Sequence, residues 1–277
     1  MKSKSSYSIG EVSKICGLSK KALRHYDKIG IIKPDRSCGN NYRYYSRASL
    51  LAVPVIKYYK QMGFKLSEMK DVIERGDYRT LRESFKSKLK ELREVEEAVF
   101  RNYTSVKDWY DLVLEAESVL LYKVQNVSVK FVEDGSYCFY DQDFEYDYRA
   151  SIINIEFTNY IESIDNEITG PVIIRFPDYE EKMKGNCQHA TVLQKTLKKC
   201  DPEKEAHFGG RMMVSAYHIG DHENINQTYE RIAQWAEEHN HTLGPEVYER
   251  YVVDYWSIQE REKFVTEILM NISEPKK

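Results

Sequence analysis

Between Phe85 and Leu120 an apolar residue returns at every seventh position: Phe85, Leu92, Val99, Val106, Val113 and Leu120. Leu81, Val95, Trp109 and Ala116 fill the companion position of the heptad, which Lys88 and Asn102 interrupt. A period of seven held over more than four heptads is a coiled-coil seam, committing about 40 residues to one helix roughly 60 Å long. Thr80-Leu-Arg-Glu83 reads as its capping box, so the helix is expected to run from Leu81. A long helix packed on its own chain is the alternative; what precedes the seam favours pairing with a second copy.

The seam divides the 277-residue chain into segments 1–76, 77–121 and 122–277, and the charge divides with it. The total of 41 Lys and Arg against 44 Asp and Glu gives −3, an uninformative average. Residues 1–75 carry 16 basic and 6 acidic groups, a net of +10, whereas residues 122–277 carry 17 and 28, a net of −11. A basic first quarter points to a polyanionic partner. Five widely spaced cysteines make no disulfide framework and fit a reducing compartment. No apolar run approaches the ~18 residues of a membrane span, and no apolar stretch follows the basic N-terminus. The expectation is a cytoplasmic protein with no membrane partner.

Ser8-Ile-Gly-Glu11 reads as a capping box for a short helix that turns Ile9, Val12 and Ile15 inward and stops at Gly17. Ser19 caps a second helix, Lys20 to Ile29, ended by Gly30; two short helices joined by such a turn form a helix-turn-helix. Ser19, Lys20, Lys21, Arg24, His25 and Lys28 make the polar side of the second helix, and Ala22, Leu23, Tyr26 and Ile29 the inner side. Its basic N-terminal half is what a recognition helix offers a major groove. The turn formers Asp35 to Asn41 followed by Tyr42-Arg-Tyr-Tyr45 read as a β-wing, with Tyr42 and Arg43 placed for phosphate oxygens.

These segments, Tyr7-Ser-Ile-Gly-Glu-Val, Gly17-Leu-Ser-Lys-Lys-Ala-Leu-Arg-His-Tyr-Asp, Gly30-Ile-Ile-Lys-Pro, Asn41-Tyr-Arg-Tyr-Tyr-Ser and Gly63-Phe-Lys-Leu-Ser-Glu-Met-Lys, resemble the MerR family of bacterial transcription regulators from residue 7 to about 75. The resemblance implies DNA contacts from Arg24, Tyr26, Tyr42 and Arg43, which join Ser19, Lys20, Lys21 and His25 as the candidate DNA-binding set. It also implies a homodimer through an antiparallel coiled coil, one half-palindrome of double-stranded promoter per subunit, and RNA polymerase as a partner at a distorted promoter. His25 departs from the family's usual Tyr, and Asn40-Asn41 from its usual Asn-Gly; Pro54 falls inside what the family makes a helix from about Arg47 to Met62, which predicts a kink or a late start. Metal-sensing members place cysteines at the end of the long helix; here none lies between Cys38 and Cys138, so no metal or cofactor is expected.

Beyond Leu121 the period switches to two, over Val127–Val132, Cys138–Tyr140, Val172–Phe176, Arg211–Tyr217, Val247–Val253 and Phe264–Met270. Helical stretches at Tyr148–Ser163 and Ile225–His239 interrupt the strands. The order predicts an α+β chain whose last domain, a duplicated β-α-β-β, forms one antiparallel sheet with both helices on one face. Residues 122–272, most clearly His222 to Tyr251, resemble the GyrI-like effector domain of multidrug-responsive MerR regulators. That resemblance implies that Glu249 lies at the floor of a ligand cleft.

The chemistry agrees, since a cleft for flat organic cations needs aromatic faces and one partly desolvated carboxylate. Strand alternation puts Tyr251 on the face of Glu249. Tyr137, Phe139, Tyr148, Tyr217 and Tyr255 complete the candidate ligand-binding set, although any single tyrosine is more often packing than contact. His218, His222, His239 and His241 read as exposed loop residues and not as a zinc site. The reading is a dimeric, ligand-responsive transcriptional activator for aromatic or cationic molecules, not an enzyme. The alternative is a hydrolase or sequestering protein for toxic small molecules, with Glu249 as general base and a DNA-binding module attached.

Overall fold

Ser8 opens the first helix as its neighbours dictate: its hydroxyl accepts from the Glu11 amide at 3.4 Å, while the Glu11 carboxylate accepts from the Ser8 amide at 2.9 Å. The computed structural model describes residues 6–36 and 42–273. It divides into two units, Met1–Ala98 and Val99–Lys277.

In the first unit, strand β1 (Ser6–Ser8) leads into α1 (Ile9–Cys16) and α2 (Lys20–Ile29), each closed by a left-handed glycine, Gly17 and Gly30. Strands β2 (Asp35–Arg36) and β3 (Arg43–Ser46) follow, and β3 pairs with both others in the order β1-β3-β2. Helices α3 (Arg47–Gln61) and α4 (Leu66–Arg75) complete the module. Val12, Leu23, Tyr26, Ile32, Tyr45, Val53, Ile56 and Met69 form its core. Ile15, expected inside, is exposed, because α1 turns only Val12 fully inward. Pro54 neither delays nor ends α3, which starts at Arg47 under a Ser46 cap; the ring lies on the solvent side, where the lost amide bond is least costly.

Helix α5 (Tyr78–Tyr122) starts three residues earlier than the sequence suggested. Asp77, not Thr80, is the capping side chain, its carboxylate accepting from both the amide and the hydroxyl of Thr80 at 2.8 Å. The heptad break at Lys88 has a local cause. Its ammonium is buried against Glu91 (2.6 Å) and Glu68 (3.1 Å) and lies 5.4 Å from the Phe64 ring centroid, so this turn of α5 serves the first unit's core. Leu92, Val95, Val99, Val106 and Val113 are exposed, Val106 at 69%.

The second unit is built on one eight-stranded antiparallel sheet in the order β4-β9-β11-β10-β6-β7-β5-β8. Its strands are β4 (Ser128–Val132), β5 (Gly135–Asp143), β6 (Ile168–Phe176), β7 (His189–Thr196), β8 (Glu205–Phe208), β9 (Arg211–Ile219), β10 (Thr242–Val253) and β11 (Val265–Ser273). The expected single helix at 148–163 is two, α6 (Tyr148–Ile152) and α7 (Ile155–Ser163), because Asn154 caps a new start by accepting from the Phe157 amide at 2.7 Å. A one-turn helix, α8 (Tyr179–Met183), and strands β7 and β8 were not anticipated; α9 (Asn226–Glu238) was.

The halves β4-β5-α6/α7-β6-β7 and β8-β9-α9-β10-β11 meet at the β6–β10 pair, about which the strand order is symmetric. Each contributes its first strand to the far side: β4 pairs with β9, and β8 with β5. Ile152, Phe157, Ile161, Tyr229 and Ile232 from the helices cover one sheet face. On the other, Leu112, Ala116 and Val119 of α5 pack against Val252, Val253 and Val265. No described helix is long and apolar enough to cross a membrane.

A candidate effector site and a candidate nucleic-acid interface

On α2, Ser19 caps the helix by accepting from the Ala22 amide at 3.0 Å, and Lys20, Lys21, Arg24 and His25 are exposed. Tyr26 is not among them: it is 3% exposed within the core, because the face that carries Leu23 carries position 26 as well. Tyr42, immediately before β3, is exposed. The Arg43 Nε donates to Asp27 Oδ2 at 2.7 Å, which ties the wing strand to the recognition helix and holds the guanidinium in one orientation. The turn cluster beyond Arg36, with the Asn40-Asn41 departure, lies outside the described residues.

The second constellation lies on the helix-covered face of the sheet. Glu249, at the centre of β10, has no exposed surface. Its Oε1 accepts from the Tyr229 hydroxyl of α9 at 2.6 Å, and its Oε2 from Tyr251, two residues along the same strand. Lys182 Nζ, from α8, stands 3.4 Å from Oε1 and donates to the Tyr148 hydroxyl at 2.7 Å. Burial and the Glu249 charge hold the Tyr148, Tyr229 and Tyr251 phenols far above their ordinary range, so all three stay protonated.

His222 stacks on Tyr148 (centroids 5.0 Å apart) and on Phe264 (5.5 Å), and meets Tyr251 edge-on at 5.2 Å. Burial pushes its imidazole down to about 4, so it is a neutral wall at pH 7. The expectation of exposed loop histidines is therefore corrected for His218 and His222, both buried; His218 is bound to Thr228 and to the Asp221 carbonyl. Among the described residues no cluster of His, Cys, Asp and Glu could hold a metal ion.

Of the candidate ligand residues, the structure gathers Glu249, Tyr251 and Tyr148. Tyr255 packs at the edge of the same cluster, with its hydroxyl on the Arg149 carbonyl. Tyr137, Phe139 and Tyr217 lie on the opposite sheet face. The register carries Glu249 across Ile174 and Val192 to Tyr140, but Arg250 across Ile173 and Leu193 to Phe139. In the other direction Arg250 pairs with Glu267, and Glu267 with Tyr217. Since neighbours in register share a face, these aromatics go with Arg250. Phe144, Phe176, Lys182, His222 and Tyr229 were not anticipated in the site, and Tyr146 was only one of the many tyrosines of the domain. Tyr229 carried a signal in its place on the predicted apolar stripe of α9, and Phe176 in its place on a predicted strand.

The opposite face is charged. Arg250 forms a bidentate pair with Glu115 of α5 (Nη1–Oε1 2.6 Å, Nη2–Oε2 2.7 Å) and reaches Glu267 at 3.0 Å. Tyr217 donates to Glu115 at 2.8 Å, and Lys130 pairs with Glu267.

Comparison with known proteins gives two matches along the chain. Residues 7–76 match the family described as MerR HTH family regulatory protein, and residues 139–273 the GyrI-like small molecule binding domain. The multidrug-efflux transporter 2 regulator of Bacillus subtilis is 23% identical over 279 residues, covering 97% of each chain. The multidrug-efflux transporter 1 regulator of the same organism is 49% identical over 65 residues, 23% of each. Among solved structures, EcmrR bound to DNA is 18% identical with a TM-score of 0.44, covering 96% of this chain and 99% of that one.

Proposed function

This chain is a MerR-family regulator carrying a GyrI-like small-molecule binding domain, and from that premise we propose that it is a transcriptional activator answering to aromatic organic cations. The observation that carries the effector class is Glu249: a carboxylate with no exposed surface, hydrogen-bonded by two tyrosines inside a wall of aromatic rings. Such a group rewards positive charge far more than a solvated one does. Both its oxygens already accept phenolic hydrogen bonds, which supports a recognition role over that of a general base.

The exposed basic face of α2, with Tyr42 and Arg43 at the start of the wing strand, would meet the promoter. The exposed heptad stripe of α5 would join two copies, so that a palindrome is read by a two-fold dimer and presented to bacterial RNA polymerase. Effector binding changes transcription only as far as it favours one dimer arrangement over another. Footprinting and run-off transcription on a palindromic promoter test the reading. An aromatic cation should raise transcription without loss of DNA protection, and Glu249→Gln should keep the protection while abolishing the response. A promoter-bound dimer indifferent to such cations would sink the effector assignment, and catalytic turnover of the cation lost in Glu249→Gln would replace it with an enzymatic one.

A further inference from the structure

The Lys182 side chain is 1% exposed, and it is the one buried residue of α8. Withdrawing an ammonium from water is costly unless its surroundings replace the lost solvation. Here the replacement is the Tyr148 hydroxyl, the Glu249 carboxylate and five aromatic rings. Their centroids lie 4.7 Å (Phe176), 5.0 Å (Phe144 and Tyr148), 5.4 Å (Tyr146) and 5.9 Å (Tyr229) from Nζ. This is the environment that a cationic guest would require.

We infer that Lys182 is a tethered stand-in for the effector's positive charge, filling the cage in the ligand-free chain and leaving it when an effector enters. The inference rests on the reading of Glu249 as the effector site and adds what that reading lacks, a competitor built into the chain.

The segment bearing Lys182 is suited to withdrawal. Helix α8 is a single turn, far below the length at which a helix is stable by itself. Gly185 follows it in the left-handed region, at φ 79°. From outside, the turn is held by polar contacts to two carbonyls: Tyr146 Oη donates to the Lys182 carbonyl at 3.3 Å, and Asn226 Nδ2 to the Met183 carbonyl at 3.1 Å. Tyr179 and Met183 at its ends pack only half-buried against the core, so the one fully buried side chain of the turn is a charged one.

Two consequences follow for the effector. Its apparent affinity is lowered by an intramolecular rival present at high effective concentration. A neutral aromatic that displaced Lys182 would leave Glu249 buried without a counter-charge, so the cage admits only guests that bring their own.

The test titrates the full chain, Lys182→Ala and Glu249→Gln with benzyltrimethylammonium by calorimetry. Lys182→Ala should bind at least about tenfold more tightly than the parent, since it no longer supplies the competing cation. Parent binding that is weakened by Glu249→Gln but unimproved in Lys182→Ala overturns the stand-in and leaves the effector site intact. Binding unaffected by Glu249→Gln, or absent from all three chains, overturns both. Because Lys182→Ala removes the partner of a buried carboxylate and so threatens folding, a second measurement uses the unsubstituted protein. In lysine acetylation followed by mass spectrometry, Lys182 should be protected without the cation and react at least about tenfold faster at saturation, in line with its opening. Protection that persists at saturation overturns the inference.

Discussion

Glu249 and Arg250 are consecutive residues of β10 whose side chains leave the sheet on opposite faces. The first enters the aromatic cage, and the second grips Glu115 of α5 with two short hydrogen bonds. A displacement of this stretch of strand is thus shared by the proposed effector site and by helix α5. Glu115→Gln should leave benzyltrimethylammonium affinity within about threefold of the parent while reducing the cation-dependent gain in transcription at least about fivefold, the smaller end of ordinary coupling between sites. Calorimetry and run-off transcription on the same preparations check it, and a full response in Glu115→Gln removes this pair from the transmission.

The exposed stripe of α5 makes its own demand. Val106→Glu, at a position 69% exposed in the single chain, should place like charges in the seam of a paired helix and weaken dimerisation at least about 100-fold. Sedimentation velocity reads this directly; an unchanged dimer would mean that the copies meet elsewhere.

Arg43 is held by Asp27 through Nε, and 37% of its side chain is exposed. Arg43→Ala should weaken binding to all DNA sequences alike and reduce the salt slope of log K by about one unit. Anisotropy titrations at four salt concentrations measure the slope, and an unchanged value takes Arg43 out of the phosphate contacts.

Asp254, just past the end of β10, is fully buried, and its Oδ2 has no hydrogen-bond partner among the described residues. Burial pushes its carboxyl up to about 6. The folded state therefore binds a proton that the unfolded chain releases near pH 4, so this contribution to stability is complete below pH 4 and is lost as pH rises to 6. His222, lowered to about 4, has the opposite slope in the same range, so only a difference isolates Asp254. Asp254→Asn should be more stable than the parent by about 1–3 kcal/mol at pH 7.5, with the gain disappearing at pH 4. Urea denaturation at the two pH values decides it.

Features set within a few residues were legible from the sequence. The Ser8–Glu11 box, the Ser19 cap and the glycine stops at 17 and 30 each depend on one turn of chain, and all are present. The heptad likewise marked α5, though Asp77 competed successfully with Thr80 for the cap. What escaped depends on register between distant strands. Alternation places Tyr251 with Glu249 on one strand, but whether Tyr137, Phe139 and Tyr217 join them is fixed by pairings spanning up to three other strands. Lys182 was illegible for a stronger reason. In Tyr-Glu-Glu-Lys-Met it reads as one more solvated charge, and only the assembled cage reveals that water has been replaced by rings.

The exchange of first strands between the two sheet halves bears on how this domain can fail. With β4 lent to the second repeat and β8 to the first, neither repeat holds a complete set of hydrogen-bonded neighbours by itself. Such interlocking removes half-melted states from the thermal pathway, so the sheet should lose its order in one step. A cation bound at the central seam between β6 and β10 would then protect the outermost strands against heat and proteases as fully as the strands it touches.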